Sequence, residues 1–335
     1  MSLDTYMRIH AGPVRRRSAR VWLGALMLFA VAFGLTASHC QLQRTRPMGY
    51  GLLHFAGDEH SRALDSQLAL GINPLLDWAQ LEPQEGVYNW SHVDALLAAA
   101  HAKGKRVALR IYTNKGEFGQ ATPDWVFGAG AQAYASEPGS ARQPVPTDPV
   151  FAEKFGAFLT AFGSRYDGYP DIEFVQTNAG MGTFGEMVWG FPDEYRPPGW
   201  SDDRQVRTSE YWIDRWHAAF PTTPLVLMEN AIGFGIVEEV AAYAVKRGFY
   251  LQANDPQHPE HSQGILAKYA DDTKIILEIE DGGCRSSTGA AFDDTLSRVF
   301  EPGFPIDYLM ICQETLEDGG RAQAAQERLR RDELR

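Results

Sequence analysis

From Met48 onward, short apolar runs alternate with stretches whose apolar residues recur at helical spacing, the pattern of a parallel α/β fold. The runs predict eight strands, at 50–55 (YGLLHF), 73–77 (NPLLD), 106–112 (RVALRIY), 172–177 (IEFVQT), 224–229 (PLVLME), 249–254 (FYLQAN), 274–279 (KIILEI) and 306–312 (IDYLMIC). Between them, helical spacing is clearest at 93–103, 151–166, 209–219, 237–246 and 292–300, and a last helix is predicted over 321–334. Eight strands, with helices between them and one after the last, is the count for a (β/α)8 TIM barrel. No internal repeat and no low-complexity linker interrupts the run, so residues 48–335 are expected to form one domain behind a separate segment, 1–47.

In such a barrel, reactive groups lie at the C-terminal ends of the strands or in the loops that follow. Polar residues do collect there: His54, Asp77, Arg110 with Tyr112, Gln176 with Asn178, Glu229 with Asn230, Asn254 with Asp255, Glu278 with Glu280, and Gln313 with Glu314. A doubly wound sheet would gather polar groups in the same way. The count of eight favours the barrel.

The first 47 residues carry a different signal. Arg15, Arg16, Arg17 and Arg20 precede an uncharged apolar run from Val21 to Ala37, the layout of an export signal. Its 17 residues are at the lower limit for spanning a bilayer, so a cleaved signal and an uncleaved membrane anchor both stay open. Cys40 adds a lipoprotein reading, against which His39 stands where that signal wants a small residue. Of the three cysteines, Cys284 and Cys312 remain to pair in an oxidising compartment or to be buried as thiols. His258 and His261 (HPEH) have ligand chemistry, but Pro259 interrupts any helix there and no third ligand is evident. A solvated loop is expected there, and no metal or other cofactor. The net charge of -12 argues against a nucleic-acid partner, which needs clustered Lys and Arg, and is compatible with a neutral glycan. Eight Trp and thirteen Tyr suit either sugar stacking or a large core.

The segment Trp78–Trp90 (WAQLEPQEGVYNW), followed by Val93 and Asp94, resembles a loop of the clan A glycoside hydrolases, especially the family 42 β-galactosidases. There W-x-x-x-E-P-x-x-G-x-Y-x-W follows the second strand and precedes a helix. Trp78, Glu82, Pro83, Gly86, Tyr88, Trp90 and Asp94 carry the match, and its content is mainly structural. Pro123–Val126 (PDWV) resembles the loop that brings an aromatic, here Trp125, towards the sugar. The run Asp148–Tyr166, continuing as the GSRYDG stretch, resembles the helix before the acid/base strand.

The resemblance implies a barrel glycosidase acting on O-glycosidic bonds of a carbohydrate, retaining, with two carboxyl groups roughly 5–5.5 Å apart. Clan A enzymes place the acid Glu directly after an Asn at the end of the fourth strand. Here Asn178 matches the Asn, but Ala179 follows it. The nearest carboxylate is Glu186, at the end of a Gly-rich loop and flanked by Phe184, Met187 and Trp189, where desolvation would raise its pKa. The nucleophile is expected at the end of the seventh strand, where Glu278 and Glu280 share one parity. Glu278 follows the apolar run as the family residue does, with Glu280 the close alternative, and Arg110 would keep Glu278 ionised. Asn178 would hold the sugar 2-hydroxyl, Trp125 and Trp189 are stacking candidates, and Tyr112, Asn254 and Glu229 add polar lining. Two other readings stay open: an envelope glycan-binding protein on a degenerate glycosidase barrel, favoured by Ala179, and a transglycosylase using the same carboxylates.

Overall fold

The computed structural model describes residues 51–115, 119–134, 141–178, 201–229, 237–254, 260–279, 289–301 and 303–333. Its strands are β1 (Gly51–Phe55), β2 (Ala69–Asn73), β3 (Leu75–Asp77), β4 (Arg106–Tyr112), β5 (Ala133–Tyr134), β6 (Gln143–Pro144), β7 (Ile172–Thr177), β8 (Leu225–Glu229), β9 (Tyr250–Ala253), β10 (Ile275–Ile279) and β11 (Tyr308–Ile311). All but β5 and β6, a small antiparallel pair, join one parallel sheet in the order β2-β1-β11-β10-β9-β8-β7-β4-β3. β2 also pairs with β4, and this contact closes the sheet into a (β/α)8 barrel.

The second stave departs from expectation. It is not one strand over 73–77 but two, β2 and β3, both lying against β4 and separated by Pro74. Proline has no N–H to give to a ladder, so the stave breaks there. Gly71 is the central residue of β2, where a Cβ would sit 1.8 Å from the Arg106 carbonyl oxygen, so the backbones can meet only at a glycine. A stretch reading Ala-Leu-Gly-Ile-Asn has little of the β-branched bulk that marks a strand.

Two helices also differ from expectation. The helix expected at 209 starts at Asp202, because Ser201 accepts a hydrogen bond from the Arg204 N–H and two acidic residues follow in the first turn. A helix spans Glu260–Tyr269, which corrects the solvated loop expected around HPEH. Its first residue, Glu260, follows Pro259 in the sequence. His258 lies outside the described residues.

The barrel interior holds an apolar layer of Leu53, Ala108, Phe174, Val226, Met228, Tyr250, Ile276, Tyr308 and Met310. Below it, Lys274 donates to the Tyr308 hydroxyl at 3.0 Å, and that hydroxyl donates to Glu173 at 2.5 Å. The outer face of the sheet packs under the helices, where aromatic residues dominate one sector. Along the Pro149–Tyr166 helix, Phe151, Phe155, Phe158, Phe162 and Tyr166 recur every three or four residues and form one buried stripe. Trp78, Trp90 and Tyr88 pack on one side of it, and Trp212, Trp216 and Phe220 on the other. Many of the aromatics that composition left open are therefore core.

Two motifs quoted above clasp each other. Asp94 accepts from the Tyr166 hydroxyl at 2.8 Å and from the Arg165 guanidinium at 2.6 Å, which ties the helix after the Trp78–Trp90 loop to the GSRYDG stretch. The Pro149–Tyr166 and Asp202–Ala219 helices meet at Gly163, where a Cβ would lie 2.1 Å from the Ala219 carbonyl oxygen. Gly163→Ala is expected to lower stability by about 1–3 kcal/mol through overpacking. Gly264→Ala, in a helix with nothing within 4 Å of the new Cβ, is expected to raise it by about 0.5–1 kcal/mol. Denaturant unfolding of the two variants checks the contrast; equal effects would mean that the helices can slide apart freely.

Candidate active site

Strand alternation sends Ala108, Arg110 and Tyr112 of β4 towards the barrel axis, along with Gln176 of β7, Gln252 of β9 and Glu278 of β10. The apolar layer occupies the depth of Ala108, Phe174 and Ile276, so the next residue pointing inward on each of those strands forms a polar layer above it. Register aligns these residues: Arg110 pairs with Gln176, and Glu278 with Met310.

Glu278 is the centre of this layer. Its Oε2 accepts from Arg110 Nη1 at 2.7 Å and from Gln252 Nε2 at 3.1 Å, and only 7% of the residue is exposed. Arg110 is fully buried, with the Tyr112 ring 5.2 Å and the Phe55 ring 5.9 Å from its guanidinium carbon. A buried carboxylate and a buried guanidinium are each unfavourable alone, and their pairing with added hydrogen bonds makes the arrangement tenable. Arg110, Tyr112 and Glu278, three of the residues selected from sequence, are thus brought together.

Asn178 follows β7 directly. Its Oδ1 accepts from Thr113 Oγ1 at 2.8 Å and its backbone carbonyl accepts from Trp216 Nε1 at 2.7 Å. Its Nδ2 is buried and has no hydrogen-bond partner among the described residues, a donor left over after the amide has been oriented. Asn254 joins the same region, its Oδ1 accepting from Gln252 Nε2 at 2.6 Å. At the mouth, Lys115 and Asp77 form an ion pair at 2.6 Å.

Other selected residues fall elsewhere. Trp125 lies in the wall: it meets Trp78 edge-on at 5.8 Å between centroids and donates its indole N–H to the Glu82 carbonyl at 2.9 Å. Glu82 accepts from Trp78 Nε1 at 2.7 Å and from the Gly86 N–H at 2.8 Å, so the turn is stapled through its carboxylate. Burial raises the Glu82 pKa, against the opposing pull of those two donors. His54 faces away from the barrel axis, its Nδ1 hydrogen-bonded to Ser61 Oγ at 2.5 Å, and burial lowers its pKa. Glu229 ends β8 in register with Ala253. Glu186, Trp189 and Glu280 lie outside the described residues.

Four members of the site were not selected from sequence as site residues: Gln176, Gln252, Asn73 and Thr113. Each is a buried polar residue in or beside a strand, which is the signal that points to them. Among the described residues, no group of three or more His, Cys, Asp or Glu could hold a metal ion. No helix among them is long and apolar enough to cross a membrane.

Known proteins share this fold. A family model described as beta-galactosidase, glycoside hydrolase family 42, matches residues 69–187. A beta-galactosidase from Arthrobacter sp is 25% identical over 160 residues, which cover 46% of this chain and 22% of that protein. The chain thus spans about a fifth of that relative's length. In three dimensions, the catalytic domain of beta-amylase from Paenibacillus polymyxa superposes with a TM-score of 0.65 at 10% identity, covering 86% of this chain and 99% of that one. Beta-galactosidase from the psychrophilic Marinomonas ef1 superposes with a TM-score of 0.56 at 12% identity, covering 84% of this chain and 59% of that one. The chain thus has a (β/α)8 barrel fold like that of these glycosidases, and over residues 69–187 its sequence is similar to the family 42 β-galactosidases.

Proposed function

We propose that this protein is a retaining glycoside hydrolase in which Glu278 is the nucleophile and Glu186 the general acid/base. The observation that carries this reading is Glu278 at the C-terminal end of β10, buried and held by two donors on one oxygen. Donors to a carboxylate favour its ionised form, which is what a nucleophile needs. Glu278 would attack the anomeric carbon and displace the leaving group, whose oxygen takes the proton of Glu186. The same Glu186 would then deprotonate the water that releases the sugar. The unpartnered Nδ2 of Asn178 suits a sugar hydroxyl next to the reacting carbon. Glu280 and Trp189 complete the mouth in this reading, with Tyr112 and Asn254 as lining.

The protein would act outside the cytoplasm. The apolar run Val21–Ala37 behind four arginines supports export or anchoring, and Cys312 belongs to a disulfide whose other half lies outside the described residues. Ala179 in place of the family Glu favours one competing reading, glycan binding without hydrolysis.

A screen of the purified protein against aryl glycosides and polysaccharides tests the proposal, with Glu186→Gln as the control. Loss of the acid is expected to slow substrates with poor leaving groups by on the order of 10²–10⁴-fold and those with good leaving groups far less, because the latter need no proton. The anomer released first, read by NMR, should match that of the substrate. Cleavage by Glu186→Gln at the wild-type rate on every substrate would remove that residue from the mechanism. Glycan binding without any cleavage would make the protein a binder.

A further inference from the structure

We propose that Asn73, Gln176 and Gln252 form a directional amide chain that presents an N–H donor to Glu278 and holds it as a hydrogen-bond acceptor. They are positioning residues, and the proposal rests on the glycosidase reading of Glu278. Direction is set at the far end. The Ala108 carbonyl can only accept, so the Asn73 atom facing it at 2.7 Å is Nδ2. That same Nδ2 donates to Gln176 Oε1 at 2.6 Å. Gln176 must therefore turn its Nε2 to Gln252 Oε1, at 2.5 Å. Gln252 is then left with its Nε2 for Asn254 Oδ1 at 2.6 Å and Glu278 Oε2 at 3.1 Å. Flipping any one amide would set donor against donor or acceptor against acceptor.

The three amides are fully buried, so water has no access to repair a wrong orientation. They come from β7, β9 and the end of β2, so the device exists only in the closed barrel. A layer that served packing alone would be better filled by apolar residues, since every buried amide must be satisfied. Arg110 of β4 is the second donor to Glu278 and carries Tyr112 against its guanidinium. On its own strand run, Lys274 sits at the opposite end with Tyr250 and Tyr308, and Glu280 follows two residues on. From β11 the neighbour in register is the uncharged Met310.

The test is the protonation of Glu278 in the full-length protein, read by ¹³C NMR of labelled glutamate carboxyls, with Glu278→Gln identifying the signal. Gln252→Met, which removes the donor, is expected to raise the pKa of Glu278 by about one pH unit. Gln176→Met and Asn73→Leu leave Gln252 in place but unaligned, and are expected to raise it by less. The acidic limb of kcat/KM against pH should move with it. A purely structural role would lower stability and leave the pKa alone; a pKa unchanged in the folded Gln176→Met and Asn73→Leu variants overturns the proposal, even where Gln252→Met does not fold. The NMR signal does not depend on turnover. Shifted pKa values in an inactive protein would leave the chain standing and remove the glycosidase reading; unshifted values in an active enzyme would do the reverse.

Discussion

Glu278→Gln is expected to abolish hydrolysis and, in the same variant, to destabilise the barrel. Loss of a nucleophile removes on the order of 10⁴-fold or more in kcat. The stability effect has a separate origin. Gln cannot balance the charge of Arg110, which is fully buried 2.7 Å away, and breaking a buried pair by removing one partner costs about 3–5 kcal/mol. Arg110→Met should destabilise by a similar amount, since it leaves the buried carboxylate without its cation. The double variant, Arg110→Met with Glu278→Gln, removes both charges and should recover a large part of the loss while staying inactive. Unfolding free energies for the four proteins, set beside their rates, give the coupling directly. Additive stability losses would mean that the two charges do not depend on each other in the folded barrel.

That pair was legible before the structure because both residues stand near strand ends, and because the resemblance places a nucleophile at the end of the seventh strand. Arg110 interrupts RVALRIY and Glu278 interrupts KIILEI, and a parallel strand buried on both faces leaves no ordinary reason for either. Strand parity put Glu278 and Glu280 on one face. What alternation does not carry is which strands are neighbours across the interior. Asn73 and Gln176 are 103 residues apart, and Gln176 and Gln252 are 76 apart, so their contact follows only from closure of the sheet. Amides are also common at strand ends for trivial reasons, so Gln252 stood out less than a charge would. The second stave was misplaced for a local reason: Pro74 splits it, and Gly71 weakens the half that precedes the break. Trp125 shows the same limit from the other side. Its loop pattern resembles one that faces sugar, while its indole N–H is used by the Glu82 carbonyl in the wall.

Phe155→Ala is expected to give the largest stability loss of any single truncation in the aromatic stripe, about 3–5 kcal/mol. The reason is position. Phe155 is fully buried, and its ring centroid lies 5.1 Å from Trp78, 5.5 Å from Phe151, 5.9 Å from Phe158, 5.3 Å from Trp212 and 6.1 Å from Trp216. It therefore joins the family-like Trp78–Trp90 loop to the Asp202–Ala219 helix, and five rings would line the cavity it leaves. Rigid aromatic neighbours held by the two helices cannot close over such a gap without moving the backbone, so the cavity should persist and its cost with it. Phe155→Leu, which fills most of the space, should lose roughly half as much. Function enters through Trp216, whose indole N–H holds the Asn178 carbonyl at the mouth. Loosening the stripe should thus raise KM more than it lowers kcat, because Glu278 stands on β10, which does not pair with the strand that leads to Asn178. A stability loss below about 1 kcal/mol would show that the stripe repacks, and an unchanged KM would show that Asn178 is held in place without it.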